Sequence, residues 1–333
     1  MVVTRKKLFW GCVALAVVGA GLWVVVHERP ETGRGQAEPS APQAPVRPEP
    51  PAPVATTNVV LRAVAAEEPE SLREPAPISS ADAVRIVVGA DPASANRYLV
   101  RSRAVESLGD ALAPGEIRML LDYLSSLNDP LRPERVAALK NDVMNALRRQ
   151  RVPPSALAPR LIRMFREGRH EPAILDYCIQ HLGTFQERLR DAGQLEDVRR
   201  CLRDAALRER YSYSGTALIA LTRLPHPAEP DRAFLASRTV AIAGNASAHE
   251  AARITAMQIA SELGHADALP AIRAAAESPE ASVSLRTAAI GALGVSGDKA
   301  DAERMKRLLD GNPNPRLLPA LNAALDRIGQ RLQ

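Results

Sequence analysis

One stretch constrains what this chain can fold into: Ala266–Gly294, ADALPAIRAAAESPEASVSLRTAAIGALG. Leu269, Ile272 and Ala276 recur at helical spacing and make one apolar stripe. Ser278-Pro279-Glu280 ends that helix, because proline cannot continue the hydrogen-bond ladder. Leu285, Ala289, Ala292 and Leu293 make a second stripe, closed by Gly294, a residue suited to a left-handed C-cap. Two short amphipathic helices joined by a tight turn cannot bury both their apolar faces alone. The stretch therefore predicts an array of similar hairpins, each burying its face against the next.

The rest of the chain from Ser80 onward divides the same way. Helix pairs are expected over 80–109, 114–150, 155–183, 193–224, 231–264, 266–294 and 299–330. Leu108-Gly109, Leu147, Leu182-Gly183, Leu221, Leu263-Gly264, Leu293-Gly294 and Ile328-Gly329 are read as second-helix ends, with separations of 30 to 42 residues, the range of helical solenoids. Ala113-Pro114-Gly115, Pro153-Pro154, Pro225–Pro230 and Asn312–Pro315 supply breaks. Ser155 and Asp231 are read as N-caps. With aromatics at only 3% and few β-branched runs in this region, the composition favours an all-α protein.

Ser284–Gly294, SLRTAAIGALG, resembles the second helix of a HEAT repeat, in the short bacterial form also found in phycobilisome lyases. Leu269-Pro270 in the preceding helix carries the same resemblance, and Arg286-x-Ala-Ala-x-x-Ala-Leu-Gly is its most specific match. Weaker echoes lie in Pro315–Gly329 and Ala252–Gly264. The resemblance implies a right-handed α-solenoid of helical hairpins, HEAT-like or armadillo-type. The repeat is a scaffold that unrelated functions share.

The N-terminal segment carries an expectation about location. Leu8–Val26 is an uncharged apolar run, long enough at about 1.5 Å per residue to cross a hydrocarbon core of roughly 30 Å. Arg5, Lys6 and Lys7 precede it and outweigh the charge of His27, Glu28 and Arg29, which places the N-terminus in the cytoplasm. A cleaved signal peptide is disfavoured by the length of the run and the lack of a small-x-small cleavage site. Cys12, behind Phe9-Trp10-Gly11, sits too early for a lipoprotein cysteine. Eleven prolines between Pro30 and Pro77 favour an extended spacer, interrupted by the apolar island Val59–Ala66. The expected order is a cytoplasmic 1–7, a signal-anchor helix at 8–26, a proline-rich disordered linker at 27–79, and a HEAT-like solenoid of about seven helix pairs at 80–333. The expected setting is a bacterial inner membrane, crossed once, with the solenoid in the periplasm.

Candidate chemistry is sparse. His170-Glu171 and His249-Glu250 each begin a second helix. Such pairs resemble the iron site of deoxyhypusine hydroxylase, itself a HEAT-like solenoid. That family uses four pairs and this chain has two, so the preferred reading is a polar helix start with a glutamate favoured by the helix dipole. No metal site and no cofactor are expected: there is no His-Glu-x-x-His, no clustered cysteines, no phosphate loop and no nucleophile elbow. Cys178 and Cys201 share apolar faces with Ile174, Leu182, Val198 and Leu202. They read as small core residues, or as a disulfide pinning two repeats. Arg148, Arg149, Arg151, Arg160 and Arg163, with Arg166 and Arg169, crowd one repeat junction, and arginine forks suit carboxylate and phosphate partners. The first five are the expected partner-binding residues.

The formal charge of +5 does not by itself imply nucleic acid, few aromatics could stack on bases, and no nucleic-acid partner is expected. No small-molecule ligand is expected. The function expected from the sequence is a membrane-tethered, non-catalytic scaffold that binds a protein partner, acidic in character, in the cell envelope. The rival reading is an enzyme with a metal or hydrolytic site in the solenoid groove. An enzyme would concentrate polar and titratable residues on second helices facing one cavity, whereas these helices read mostly as alanine and leucine.

Overall fold

The computed structural model describes residues 78–189, 191–224 and 229–333. The chain divides into two units, Met1–Ala76 and Pro77–Gln333, and the described residues belong to the second. The segment 1–7, the span 8–26 with Cys12, the linker up to residue 77 with Val59–Ala66, and most of the Pro225–Pro230 break lie outside them.

Among the described residues there are fourteen α-helices and no strand. In order they are α1 (Ser80–Val87), α2 (Tyr98–Glu106), α3 (Pro114–Ser125), α4 (Pro133–Arg148), α5 (Leu157–Glu167), α6 (Pro172–Phe185) and α7 (Ala192–Ala206). There follow α8 (Tyr213–Thr222), α9 (Glu229–Gly244), α10 (Glu250–Leu263), α11 (Leu269–Glu277), α12 (Val283–Ser296), α13 (Lys299–Asp310) and α14 (Leu318–Leu332). Odd-numbered helices are the first of each hairpin and even-numbered helices the second. Each second helix packs on the second helix of the next repeat, and first helices touch one another less. One apolar core runs through the array. This is a HEAT-like all-helical solenoid.

Local chemistry explains the helix starts. Ser79, Asp191, Ser282 and Asp298 side chains each accept a backbone N–H from the first turn of the helix they precede, removing a donor that the helix cannot satisfy. Pro114, Pro133 and Pro172 open helices rather than only ending the segments before them, because the first turn needs no N–H from them. Two expected caps are different residues in the structure. Ala156, not Ser155, precedes α5. Asp231 lies inside the first turn of α9 and is buried, where it meets an arginine of the previous repeat.

The two layers are joined differently. At three junctions between second helices the contact is made by missing side chains. A Cβ on Gly183 of α6 would lie 2.5 Å from Ala220 Cβ of α8; one on Gly215 of α8 would lie 3.1 Å from Ala252 Cα of α10; one on Gly294 of α12 would lie 3.0 Å from Ala324 Cα of α14. Gly183 and Gly294 therefore do not end their helices, which run on to Phe185 and Ser296. They let two backbones approach. The left-handed caps are Gly168 and Gly264, at φ 62° and 73°.

Between first helices the contact is made by arginine forks. Arg160 of α5 reaches Asp122 of α3 at 3.2 Å, and Arg203 of α7 reaches Asp231 of α9 at 2.7 Å. Arg273 of α11 holds both carboxylate oxygens of the fully buried Asp301 of α13, at 2.7 and 2.8 Å.

Candidate functional site

The first three repeats carry the least ordinary chemistry in the molecule. Arg101 of α2 has no exposed surface. It grips Asp129, in the turn between α3 and α4, through Nη1 and Nη2 at 2.9 Å each. Its Nε donates to Val87 O at 2.9 Å and Nη1 also donates to Ala95 O at 3.1 Å. Tyr123 Oη donates to the same carboxylate at 3.0 Å. Burial alone would raise the Asp129 carboxyl, but the Arg101 fork and the Leu131 N–H hold it below the usual carboxylate range. Behind Tyr123, the buried Lys140 of α4 donates to Leu124 O and Ser126 O; burial lowers its ammonium to about 8. This hub ties α2 to the end of α1 and to the α3–α4 turn, and ties α4 to the end of α3.

On the solvent side of that junction, Val105 and Glu106 of α2 and Asp142, Asn145 and Arg149 at the C-terminal half of α4 enclose a groove of about 240 Å³. Asp142 is half-buried. Burial, then the neighbouring Glu106 carboxylate, raises its pKa, and Arg149 opposes this only in part. Asn145 Oδ1 accepts from Arg148 Nη2 at 3.2 Å. The next second helix continues the polar strip. Tyr177 of α6 is raised by burial and then by Asp176, Asp142 and Tyr98. Asp176 in turn accepts from Ser212 at 2.7 Å and from Thr216 of α8 at 2.6 Å. Titratable and polar groups from α2, α4, α6 and α8 thus share one face.

The five arginines singled out from the sequence do not form one patch. Arg149 lines the α2–α4 groove. Arg151 is paired with Asp110 at 2.9 Å, and Arg160 with Asp122 and Ser125 on the first-helix layer. Arg148 is half-buried; burial and then Arg188 and Arg149 lower its pKa, and its backbone carbonyl accepts from Arg188. Arg163 faces a different groove, between α5 and α7. Neighbours in sequence diverge because the 148–163 segment turns from a second helix into a first helix.

The remaining candidates have structural roles. Cys178 and Cys201 are free and buried rather than bridged; burial drives both thiols upward, Cys201 to about 12. His249 precedes α10 and its Nδ1 accepts from Ala251 N at 3.2 Å, while Glu250 accepts from Ser282 of the next repeat at 2.7 Å. His170 is buried beside the start of α6 and lowered to about 4, by burial and then by Lys140. No group of three or more His, Cys, Asp or Glu side chains converges among the described residues.

Sequence reasoning missed the hub and the groove. Arg101 stands in register with Ala104, Val105 and Leu108, and Lys140 with Val143, Met144 and Leu147, all of them buried. A charged residue at a core position of a helix was the available signal.

No family model matches the chain, and no curated protein matches it. Among solved structures, human deoxyhypusine hydroxylase in complex with glycerol matches with a TM-score of 0.31 and 17% identity, covering 75% of this chain and 96% of that one. So distant a likeness transfers no activity to this chain. Two expectations are nevertheless corrected. The chain was read as a non-catalytic scaffold, yet the structure it matches is an enzyme's. A helical-repeat architecture hosts unrelated functions and is no ground for excluding catalysis, and the scaffold reading is withdrawn. The single-pass inner-membrane assignment is withdrawn as well. No helix among the described residues is long and apolar enough to cross a membrane, and the segment 8–26 on which that assignment rested lies outside them.

Proposed function

We propose that the α2–α4 groove is an enzyme's active site and that its chemistry is hydrolytic, of the acid–base kind. One observation carries the reading. Asp142 and Glu106 face one groove from successive second helices, and their mutual repulsion together with burial favours the protonated form of Asp142. Two carboxyls in different environments divide the labour of general acid and general base. Asp142 would donate the proton to a leaving group, and Glu106 would accept one from water. Arg149 and the Asn145 amide supply donors for a negatively charged or carbonyl oxygen of the substrate. With no converging set of metal ligands among the described residues, the hydrolytic form of the reading is favoured over the metal-dependent one.

The test is a panel of chromogenic esters, phosphate esters, glycosides and amides, assayed with the full chain and with Asp142→Asn and Glu106→Gln. The expected result is turnover of one class that falls at least 100-fold in each variant while circular dichroism is unchanged, on the scale of general acid–base catalysis. Activity requiring the Asp142 proton should decline as pH rises through its raised pKa. Turnover that both variants retain, or none with any class, overturns the reading.

A further inference from the structure

The second groove of the array lies on the other layer, between α5 and α7. Its floor is apolar: Ala158, Pro159 and Ile162. Its walls are Arg163, Arg166 and Glu167 of α5 and Gln194 and Asp197 of α7, around a volume of about 300 Å³. Arg160, Arg203 and Arg273 of the first-helix layer each pair with a carboxylate. Arg163 and Arg166 do not. Among the described residues neither donates a hydrogen bond nor lies within ion-pair distance of an acid.

Each of the two acids in the walls has its nearest cation outside the groove, although Arg163 also acts on Glu167 at longer range. Arg169 donates to Glu167 at 2.7 Å and holds its carboxyl below the usual range. Asp197 lies 4.0 Å from Arg200. Two guanidinium groups one helical turn apart, neither in a close ion pair, thus stand over an apolar floor, with Gln194 of α7 also lining the groove.

We infer that the α5–α7 groove binds an organic carboxylate that carries a short apolar group. The carboxylate would be gripped by Arg163 and Arg166 and the apolar group laid on Ala158, Pro159 and Ile162. Arginine forks match a carboxylate in two parallel hydrogen bonds. The volume is at the small end for ligand sites, which suits a ligand of a few carbons rather than a folded surface. The chemistry is common to a free alkanoic acid and to the C-terminal carboxylate of a peptide ending in an aliphatic residue. The inference stands apart from the acid–base reading, which concerns different residues on the other layer.

Calorimetric titration of the full chain with hexanoate and with N-acetyl-Leu-Leu, each beside its uncharged amide, tests it. The expected result is saturable binding of at least one carboxylate, no binding of the matching amide, and at least a 10-fold loss of affinity in Arg163→Gln/Arg166→Gln. Arg160→Gln, outside the groove, should leave affinity unchanged. Preference for hexanoate or for the peptide decides the source of the carboxylate. Equal binding of acid and amide, full affinity in the double variant, or no binding of either carboxylate at millimolar concentration overturns the inference.

Discussion

The first-helix and second-helix layers solve one problem, joining a repeat to the next, by opposite means. The second helices come together by leaving atoms out. Gly183, Gly215 and Gly294 let backbone approach backbone, and the contact is short-ranged. The first helices stay further apart and are tied by long charged side chains: Arg160 to Asp122, Arg203 to Asp231, Arg273 to Asp301. Packing contacts depend on shape to a few tenths of an ångström, whereas ion pairs tolerate displacement but answer to salt. Of the junctions along the polar strip of α2, α4, α6 and α8, the one between α6 and α8 is closed by such a glycine, Gly183.

Mutations can break or sharpen this contrast, and the hub comes first in size. Arg101→Met should cost about 3–5 kcal/mol in chemical denaturation, because it leaves the Asp129 carboxylate buried without its cation; Arg101→Met/Asp129→Leu should recover part of that loss. Arg273→Ala should cost about 1.5–3 kcal/mol, because the buried Asp301 loses two charge-assisted hydrogen bonds. Gly183→Ala should cost about 1–3 kcal/mol, since a Cβ there must displace Ala220 or separate two helices. Salt distinguishes these two: raising ionic strength should narrow the gap between Arg273→Ala and wild type and leave the Gly183→Ala gap unchanged. Arg160→Ala, whose partner Asp122 is mostly exposed, should fall within about 1 kcal/mol of wild type.

Acid should act through the second-helix layer. His181 of α6 is buried, its Nε2 within 3.0 Å of Asn141 Oδ1, and burial, followed by Arg148, lowers its pKa to about 3. A folded-state pKa below the unfolded value means that the unfolded chain binds the proton first. The stability due to neutral His181 is therefore complete above about pH 6.5 and declines as pH falls toward about 3, at up to about 1.4 kcal/mol per pH unit. In urea denaturation followed across that window, His181→Gln should flatten the slope. An unchanged slope would remove His181 as its source.

The helical class was legible in the sequence because it rests on periodicity. Ile272, Ala276, Leu285, Ala289, Ala292 and Leu293 are all buried, and their spacing alone marks a two-sided array. The roles of individual polar residues were harder to read. Gly294 looked like a helix end, but its neighbour Ala324 lies a whole repeat later, and only the packed array reveals the contact. Asp231 looked like a cap, because a carboxylate near a helix start is usually one; its partner Arg203 is 28 positions away. The arginine-rich 148–163 segment looked like a patch because residues close in sequence look close in space, whereas the chain turns between layers there. The Glu106–Asp142 pair left no mark, as each is an ordinary helix-surface acid until α2 and α4 are set side by side.

The layered joinery also has a mechanical consequence. A strip made of one face that cannot stretch and another whose ties lengthen under load flexes about the stiff face, as a bonded pair of unlike metals does. In this solenoid the stiff face is the one closed by Gly183, Gly215 and Gly294. Bending would therefore be taken up mainly where Arg203 and Arg273 span between first helices, and the distances across the second-helix face would change least as the array flexes.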